Sequence, residues 1–176
     1  MRPVRYNVAA SLDGYIAGPG GEYDWIPDDP TVDFAALFAR IDTVLLGRKS
    51  FEALSGQPAA PWSPGTRLYV FSRTLDAADH PGVTVVREDA AATVAPLRAE
   101  SGTGEIWLFG GGSLFAALIA AGQVDRVEVT VVPVLLGGGV PLFPSGERTA
   151  LHFLDSQVYP SGMITLRYDV PGAQSG

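Results

Sequence analysis

Cysteine is absent from the sequence. Its absence excludes disulfide bonds, thiolate metal ligands and a cysteine nucleophile, and it fits a reducing compartment. Histidine is scarce as well. His80 and His152 stand apart, with no ligand partner at metal-binding spacing, so no metal site is expected. Positive charge is short: 12 Lys and Arg face 19 Asp and Glu, a formal net charge of −7. Such an acidic chain offers no basic footprint for nucleic acid. Long apolar runs are lacking too, and none approaches the ~20 residues that cross a bilayer, so no membrane partner is expected. The stretch Met1-Arg2-Pro3-Val4-Arg5-Tyr6 enters a strand-like pattern with no signal-peptide core. The expected location is cytoplasmic.

What the chain does have is apolar residues and glycine. Hydrophobic residues make up 47% of 176, and 21 residues are glycine. That length supports one domain, residues 1–176, with a full core. Short apolar runs read as strands over Val4–Ala10, Thr43–Leu46, Thr66–Phe71, Val83–Val86, Glu105–Phe109 and Val124–Pro133. Two more, Leu151–Tyr159 and Met163–Val170, are joined at Pro160-Ser161-Gly162 and read as an antiparallel pair. Between the earlier strands lie helical patterns. Asp29 and Pro30 read as a cap and first turn, followed by Phe34, Leu37, Phe38 and Ile41 at helical spacing. Further helices are expected over Ser50–Leu54, over Ala90–Ala99 with Pro96 disturbing it, and over Ser113–Ala121. Leu135–Pro144, with a second glycine cluster, reads as a loop, and so does Ser55–Pro64 with Trp62. The tail Pro171–Gly176 reads as frayed. Strands alternating with helices and then a run of strands predict an α/β fold: a largely parallel sheet, helices on both faces and an antiparallel C-terminal edge hairpin.

Three segments carry chemistry. In the first, the strand ending at Phe109 runs through Gly110-Gly111-Gly112 into a helix beginning Ser113-Leu114-Phe115. Glycine lets backbone approach a ligand closely, and a helix start offers unpaired N–H groups and partial positive charge, which suits a pyrophosphate. The same turn also serves as a ligand-free connection, and this stretch alone does not separate the two. It has neither the spacing of the Rossmann fingerprint nor a P-loop. In the second, Gly47-Arg48-Lys49-Ser50 repeats the strand–glycine–helix arrangement with two cations. In the third, Phe71-Ser72-Arg73 ends a strand. All three fall at carboxyl ends of strands, where open α/β sheets bind ligands. Together they predict a dinucleotide site in which the glycines take the pyrophosphate. Arg48, Ser72 and Arg73 take a further phosphate, which favours NADP over NAD.

The substrate side offers less. Asp33 lies one turn before Leu37, at the margin of the apolar stripe, where burial would raise its pKa enough for a proton donor. A first-turn Asp favoured by the helix dipole explains it equally well. Asp13 in Ser11-Leu12-Asp13-Gly14 is the other carboxylate candidate, and it also reads as a turn residue. Trp25, in a glycine-rich loop, and Leu37 are the candidates for substrate contact, and Trp25 reads equally as a plug of the core.

These motifs resemble the dihydrofolate-reductase-like family, in the branch similar to the reductase domain of riboflavin biosynthesis. The resemblance rests on Ala10–Ala17, Leu45–Glu52, Ile106–Leu118 and Pro133–Gly139, which occur in the family's order. It implies a three-layer fold, NADPH binding and hydride transfer to a C=N or C=O carbon of a small pterin- or pyrimidine-like heterocycle. It implies that Ala9 and Ile16 line the nicotinamide pocket, that Gly47–Ser50 and Gly110–Phe115 hold phosphates, and that Phe71–Arg73 hold the adenosine end. It further implies a cis peptide at Gly110–Gly111 and a homodimer, for which the strands Val127–Val134 and Met163–Val170 offer an edge or face. The alternative is a nucleotide- or flavin-binding module of the same fold without turnover.

Overall fold

The computed structural model describes residues 1–55 and 62–172. Most of the loop read over Ser55–Pro64, and the tail from residue 173 onward, lie outside the described residues. In chain order the elements are β1 (Val4–Ser11), β2 (Tyr15–Ala17), α1 (Phe34–Phe38), β3 (Ile41–Gly47), α2 (Arg48–Ser55), β4 (Arg67–Phe71) and β5 (Thr84–Val86). There follow α3 (Ala90–Ala99), β6 (Glu105–Gly110), α4 (Gly112–Ala120), β7 (Arg126–Val132), β8 (Val140–Pro141), β9 (His152–Val158) and β10 (Ile164–Asp169).

Eight strands form one sheet in the order β5-β4-β3-β6-β1-β7-β10-β9. The first six are mutually parallel. β10 runs antiparallel to β7 and β9 antiparallel to β10, which places the expected hairpin at the edge. Successive side chains of a strand point to opposite faces. One face gathers Val4, Tyr6, Leu45, Ile106 and Leu108 beneath Val94 and Leu97 of α3 and Leu114, Phe115 and Leu118 of α4. The other gathers Val44, Leu46, Val70 and Trp107 beneath Leu37 and Phe38 of α1 and Phe51 and Leu54 of α2. Helices therefore cover both faces, as a parallel sheet requires. Each fully buried leucine, such as Leu45, Leu108 or Leu118, contributes ~1.5–3 kcal/mol of hydrophobic stabilisation.

Several local expectations change. The first helix is one short stretch, α1, and it ends before Ile41, which instead opens β3. Its cap is Asp33, whose Oδ1 accepts from Ala36 N at 2.8 Å. Asp29 does not cap it. Asp29 accepts from Thr31 N and Thr31 Oγ1, and from Ser161 N in the β9–β10 turn, so its carboxylate is committed to the core edge. Two helices start earlier than expected, α2 at Arg48 and α4 at Gly112. Pro96 does not break α3, which starts from the Asp89 cap and runs on to Ala99. The glycine-rich Leu135–Pro144 is not wholly loop, because Val140–Pro141 pairs with Tyr15–Ala17. Gly139 makes that approach possible, since a Cβ there would lie 2.1 Å from Ala17 O.

The amino-terminal edge of the sheet is held by charge. Arg2, 3% exposed, pairs with Asp42 and Glu100 and donates to Gly104 O. Arg98 pairs with Asp125 at 2.6 Å. A buried arginine persists only when its donors are matched in this way. The opposite edge, at the carboxyl ends of the strands, is left to turns and glycine.

Candidate functional site

The carboxyl ends of β3 and β6 meet. A Cβ built on Gly47 would lie 3.4 Å from Gly111 N and 3.5 Å from Gly110 O. A Cβ on Gly111 would lie 3.8 Å from Ser50 Oγ and 3.9 Å from Ile16 Cδ1. Five of the expected cofactor residues, Ile16, Gly47, Ser50, Gly110 and Gly111, from three separated segments, thus surround one point. The peptide Gly110–Gly111 is cis, as the resemblance implied. Gly111 caps α4 with no side-chain hydrogen bond, and Leu114 N and Phe115 N both bond back to Gly111 O. The start of α4 thus lies beside the start of α2, with the positive ends of two helices together. Bare backbone and two helix starts fit a pyrophosphate. The helix stays in place through its packed side: Phe115 stacks on Tyr6 with ring centroids 3.9 Å apart, and Leu114 is buried.

Beside this point lies a cavity of about 200 Å³, lined by Phe71, Ser72, Arg73, Arg87, Glu88 and Leu114 among others. Its size and rim suit one end of a dinucleotide. Arg73 is exposed at its mouth. Arg87 donates to Arg73 O at 3.2 Å and to Leu75 O at 2.9 Å, strapping the turn that carries Arg73. The Ser72 hydroxyl oxygen accepts from Thr74 N and Leu75 N, so it shapes the same turn from inside. Arg48 does not reach this cavity in the structure. It is exposed on α2 and paired with Glu52 one turn on, at 3.0 Å. Lys49 and Ser113 are exposed and Ala9 is half-buried.

The two expected carboxylates are both held by hydrogen bonds within the fold. Asp33 is exposed, and its oxygen caps α1, which corrects its placement at the margin of a buried stripe. Asp13 is exposed and ties two loops together. It accepts from Ser11 Oγ at 2.6 Å, from Leu136 N at 3.1 Å and from Gly137 N at 2.8 Å. The Ser11 bond, with the two backbone N–H groups, holds its carboxyl below the ordinary value. Trp25 donates to Glu22 O and packs with Ala9 and Val32 against Val132, Tyr159 and Met163. Leu37 is half-buried in the α1 contact with the sheet. Among the described residues, no cluster of three or more His, Asp or Glu is placed to hold a metal, and no helix is long and apolar enough to cross a membrane.

Sequence reasoning overlooked a polar network on the α1-facing side of β1 and β7. Arg5 is bonded to Glu105 at 2.7 and 2.9 Å and also to Glu128, while Asn7 Nδ2 donates to Glu128 Oε2 at 2.8 Å. The signal was present in the sequence: polar residues at every second position of otherwise apolar runs, Arg5 and Asn7 in β1 and Glu128 and Thr130 in β7.

The chain is similar to known proteins over nearly all of its length. It is 33% identical over 180 residues to YyaP of Bacillus subtilis, covering 96% of this chain and 95% of that protein. A putative riboflavin biosynthesis protein from Shewanella superposes with a TM-score of 0.81 at 29% identity, covering 97% of this chain and 99% of that one. The dihydrofolate reductase of Enterococcus faecalis, solved in complex with NADP(H), shares the fold, with a TM-score of 0.69 at 19% identity over 96% of each chain. A family model described as the RibD C-terminal domain matches residues 2–165. This match supports a reductase-type function. The chain belongs to the RibD C-terminal domain family.

Proposed function

We propose that the protein is an NADPH-dependent reductase acting on a small pterin- or pyrimidine-like heterocycle. The observation that carries this reading is the convergence of Gly47, Ser50 and Ile16 on Gly111 beside the cavity under Phe71–Arg73. Gly47, Gly110 and Gly111 give the pyrophosphate a surface of bare backbone, and the starts of α2 and α4 supply N–H donors and partial positive charge. Arg73, at the cavity mouth, takes the phosphate that distinguishes NADPH from NADH. Ile16 and Ala9 present an apolar wall to the nicotinamide. A bound NADPH supplies the hydride, and the protein supplies position and electrostatics. Asp33 is engaged in capping α1 and Asp13 in tying two loops together, so the proton comes from water in this reading.

The test is titration of the purified protein with NADPH and with NADH, by calorimetry or by quenching of Trp fluorescence. Tight NADPH binding with weak NADH binding is the expected result. Absence of binding to either removes the reductase reading. The committed carboxylates favour a second reading, a nucleotide- or flavin-binding module without turnover. Loss of nicotinamide absorbance on mixing with NADPH and heterocyclic acceptors distinguishes the two. The homodimer and the cytoplasmic location remain part of the proposal. β7 and β10 are interior strands; of the sheet's two edge strands, β5 and β9, β9 is exposed at all seven residues, including Phe153 and Val158. Light scattering that gives the monomer mass rejects the dimer.

A further inference from the structure

β1 lies inside the sheet, hydrogen-bonded to β6 on one side and β7 on the other. Side chains on such a strand are normally sealed by the covering layer. Arg5 is sealed, at 2% exposure. On the same face the next residues are not: Asn7 and Ala9 of β1 are only partly buried, as are Phe109 of β6 and Thr130 of β7. Exposure at the centre of a sheet marks an opening in the layer above it. Trp25 and Val32 border this opening on the Ala9 side. Phe38 and Trp107, with rings 5.9 Å apart, and Phe109 border it on the other. The walls are aromatic and aliphatic, and the floor carries one amide.

The orientation of that amide is determined. Glu128, 5% exposed, takes Arg5 on Oε1 and Asn7 on Oε2. A carboxylate accepts and does not donate, so the Asn7 NH₂ group must face it. Arg5 is fixed in turn by its two bonds to Glu105. Asn7 Oδ1 is thereby directed away from Glu128 and accepts no hydrogen bond among the described residues. We propose that Asn7 is a specificity-determining residue of the substrate pocket, that its Oδ1 accepts a ring N–H of a flat lactam-bearing heterocycle, and that Glu128 is the positioning residue that keeps the acceptor, and not the NH₂ group, toward the substrate. This inference rests on the reductase reading and narrows its substrate class. A neutral acceptor set among aromatic walls selects uncharged planar rings with a donor on the edge. A ring methylated at nitrogen leaves the Asn7 oxygen without a partner on desolvation, and that is where discrimination arises.

The probes are lumazine, whose dione ring carries two N–H donors, and its N,N-dimethyl derivative, which carries none. Affinity for each is measured calorimetrically on the NADPH-loaded protein. Lumazine binding about tenfold tighter is expected, the effect of one hydrogen bond to a neutral acceptor that the bound ring desolvates. Asn7→Leu and Glu128→Gln are each expected to bring the ratio of the two affinities close to one. A Gln at 128 no longer dictates which end of Asn7 faces the ring. General loosening of the site would weaken both ligands together and leave the ratio unchanged, so the ratio reports orientation and not mere structure. The wild-type ratio tests the ring N–H contact, and either variant that folds assigns it to Asn7 and its orientation. Equal binding of both probes, or binding of neither, by a protein that still binds NADPH overturns the proposal and leaves the reductase reading standing. Failure to bind NADPH removes the reading itself and this proposal with it.

Discussion

Replacement of Gly112 by alanine puts the closest backbone approach in the cofactor region under load. A Cβ on Gly112 would lie 2.5 Å from Pro141 O, 2.9 Å from Leu142 O and 3.0 Å from Pro144 Cδ. Two of these three atoms are main-chain oxygens, which no rotamer change can move. Nonbonded heavy atoms settle at ~3.5 Å or beyond, so β8 must retreat by about 1 Å. Retreat loosens the bond from Leu142 N to Gly14 O, 2.9 Å long, and the pairing of β8 with β2. Overpacking of this kind costs ~1–3 kcal/mol, and alanine's helix propensity returns less than ~1 kcal/mol at a first-turn position. The net loss of about 1–2 kcal/mol lowers the melting temperature by ~2–8 °C in a chain of this length. Thermal melting followed by circular dichroism reads the loss. Gly138→Ala is the matched control, in the Leu135–Pro144 segment that Gly112 abuts. No atom lies within 4 Å of its Cβ and its φ is outside the left-handed region, so its melting temperature stays at the wild-type value. A Gly112→Ala protein that melts with the wild type would refute the contact reasoning.

Arg73→Ala should weaken NADPH about tenfold, the loss of one exposed charge-assisted contact, and leave NADH nearly unchanged; equal losses in a calorimetric titration would show that Arg73 does not meet the extra phosphate. Arg48→Ala, by contrast, should change neither affinity by more than about twofold, because surface pairs such as Arg48–Glu52 contribute little. Phe115→Ala removes the ring stacked on Tyr6 and should cost ~3–5 kcal/mol; a urea-unfolding midpoint close to wild type would contradict this. Asp29 concerns acid. Its bonds from Ser161, then Thr31, hold its carboxyl at about 2 in the folded chain, against an ordinary 3.8. A depressed acid adds stability above its unfolded value and loses it as pH falls through the folded one. Asp29→Asn should therefore narrow the wild-type advantage between pH 3.8 and about 2; parallel stability–pH curves for the two proteins would refute it.

Much of this protein was legible without coordinates. Short apolar runs separated by glycine and helical spacing gave the order of elements, because burial on both faces of a parallel sheet demands continuous apolar strands. The motifs at Gly47, Ser72 and Gly110 could be placed at strand ends for the same reason. Distance, charge pairing and the limits of short helices were not legible. Phe34, Leu37, Phe38 and Ile41 keep helical spacing, yet the chain leaves the helix after Phe38 because Ile41 finds a better partner in the sheet beside Glu105. Asp33 and Asp13 carry the chemistry of proton donors, but local backbone N–H groups claim both. Arg48 carries the chemistry of a phosphate ligand, but the next turn of α2 brings Glu52 under it. The Arg5–Glu128–Asn7 network spans more than a hundred residues of chain, and only strand register brings its members together. The sequence determined which residues are apolar, which turns are glycine and therefore which layers form. The tertiary structure alone decided which polar groups meet, because hydrogen bonds and ion pairs depend on distances of a few ångströms that no spacing along the chain encodes.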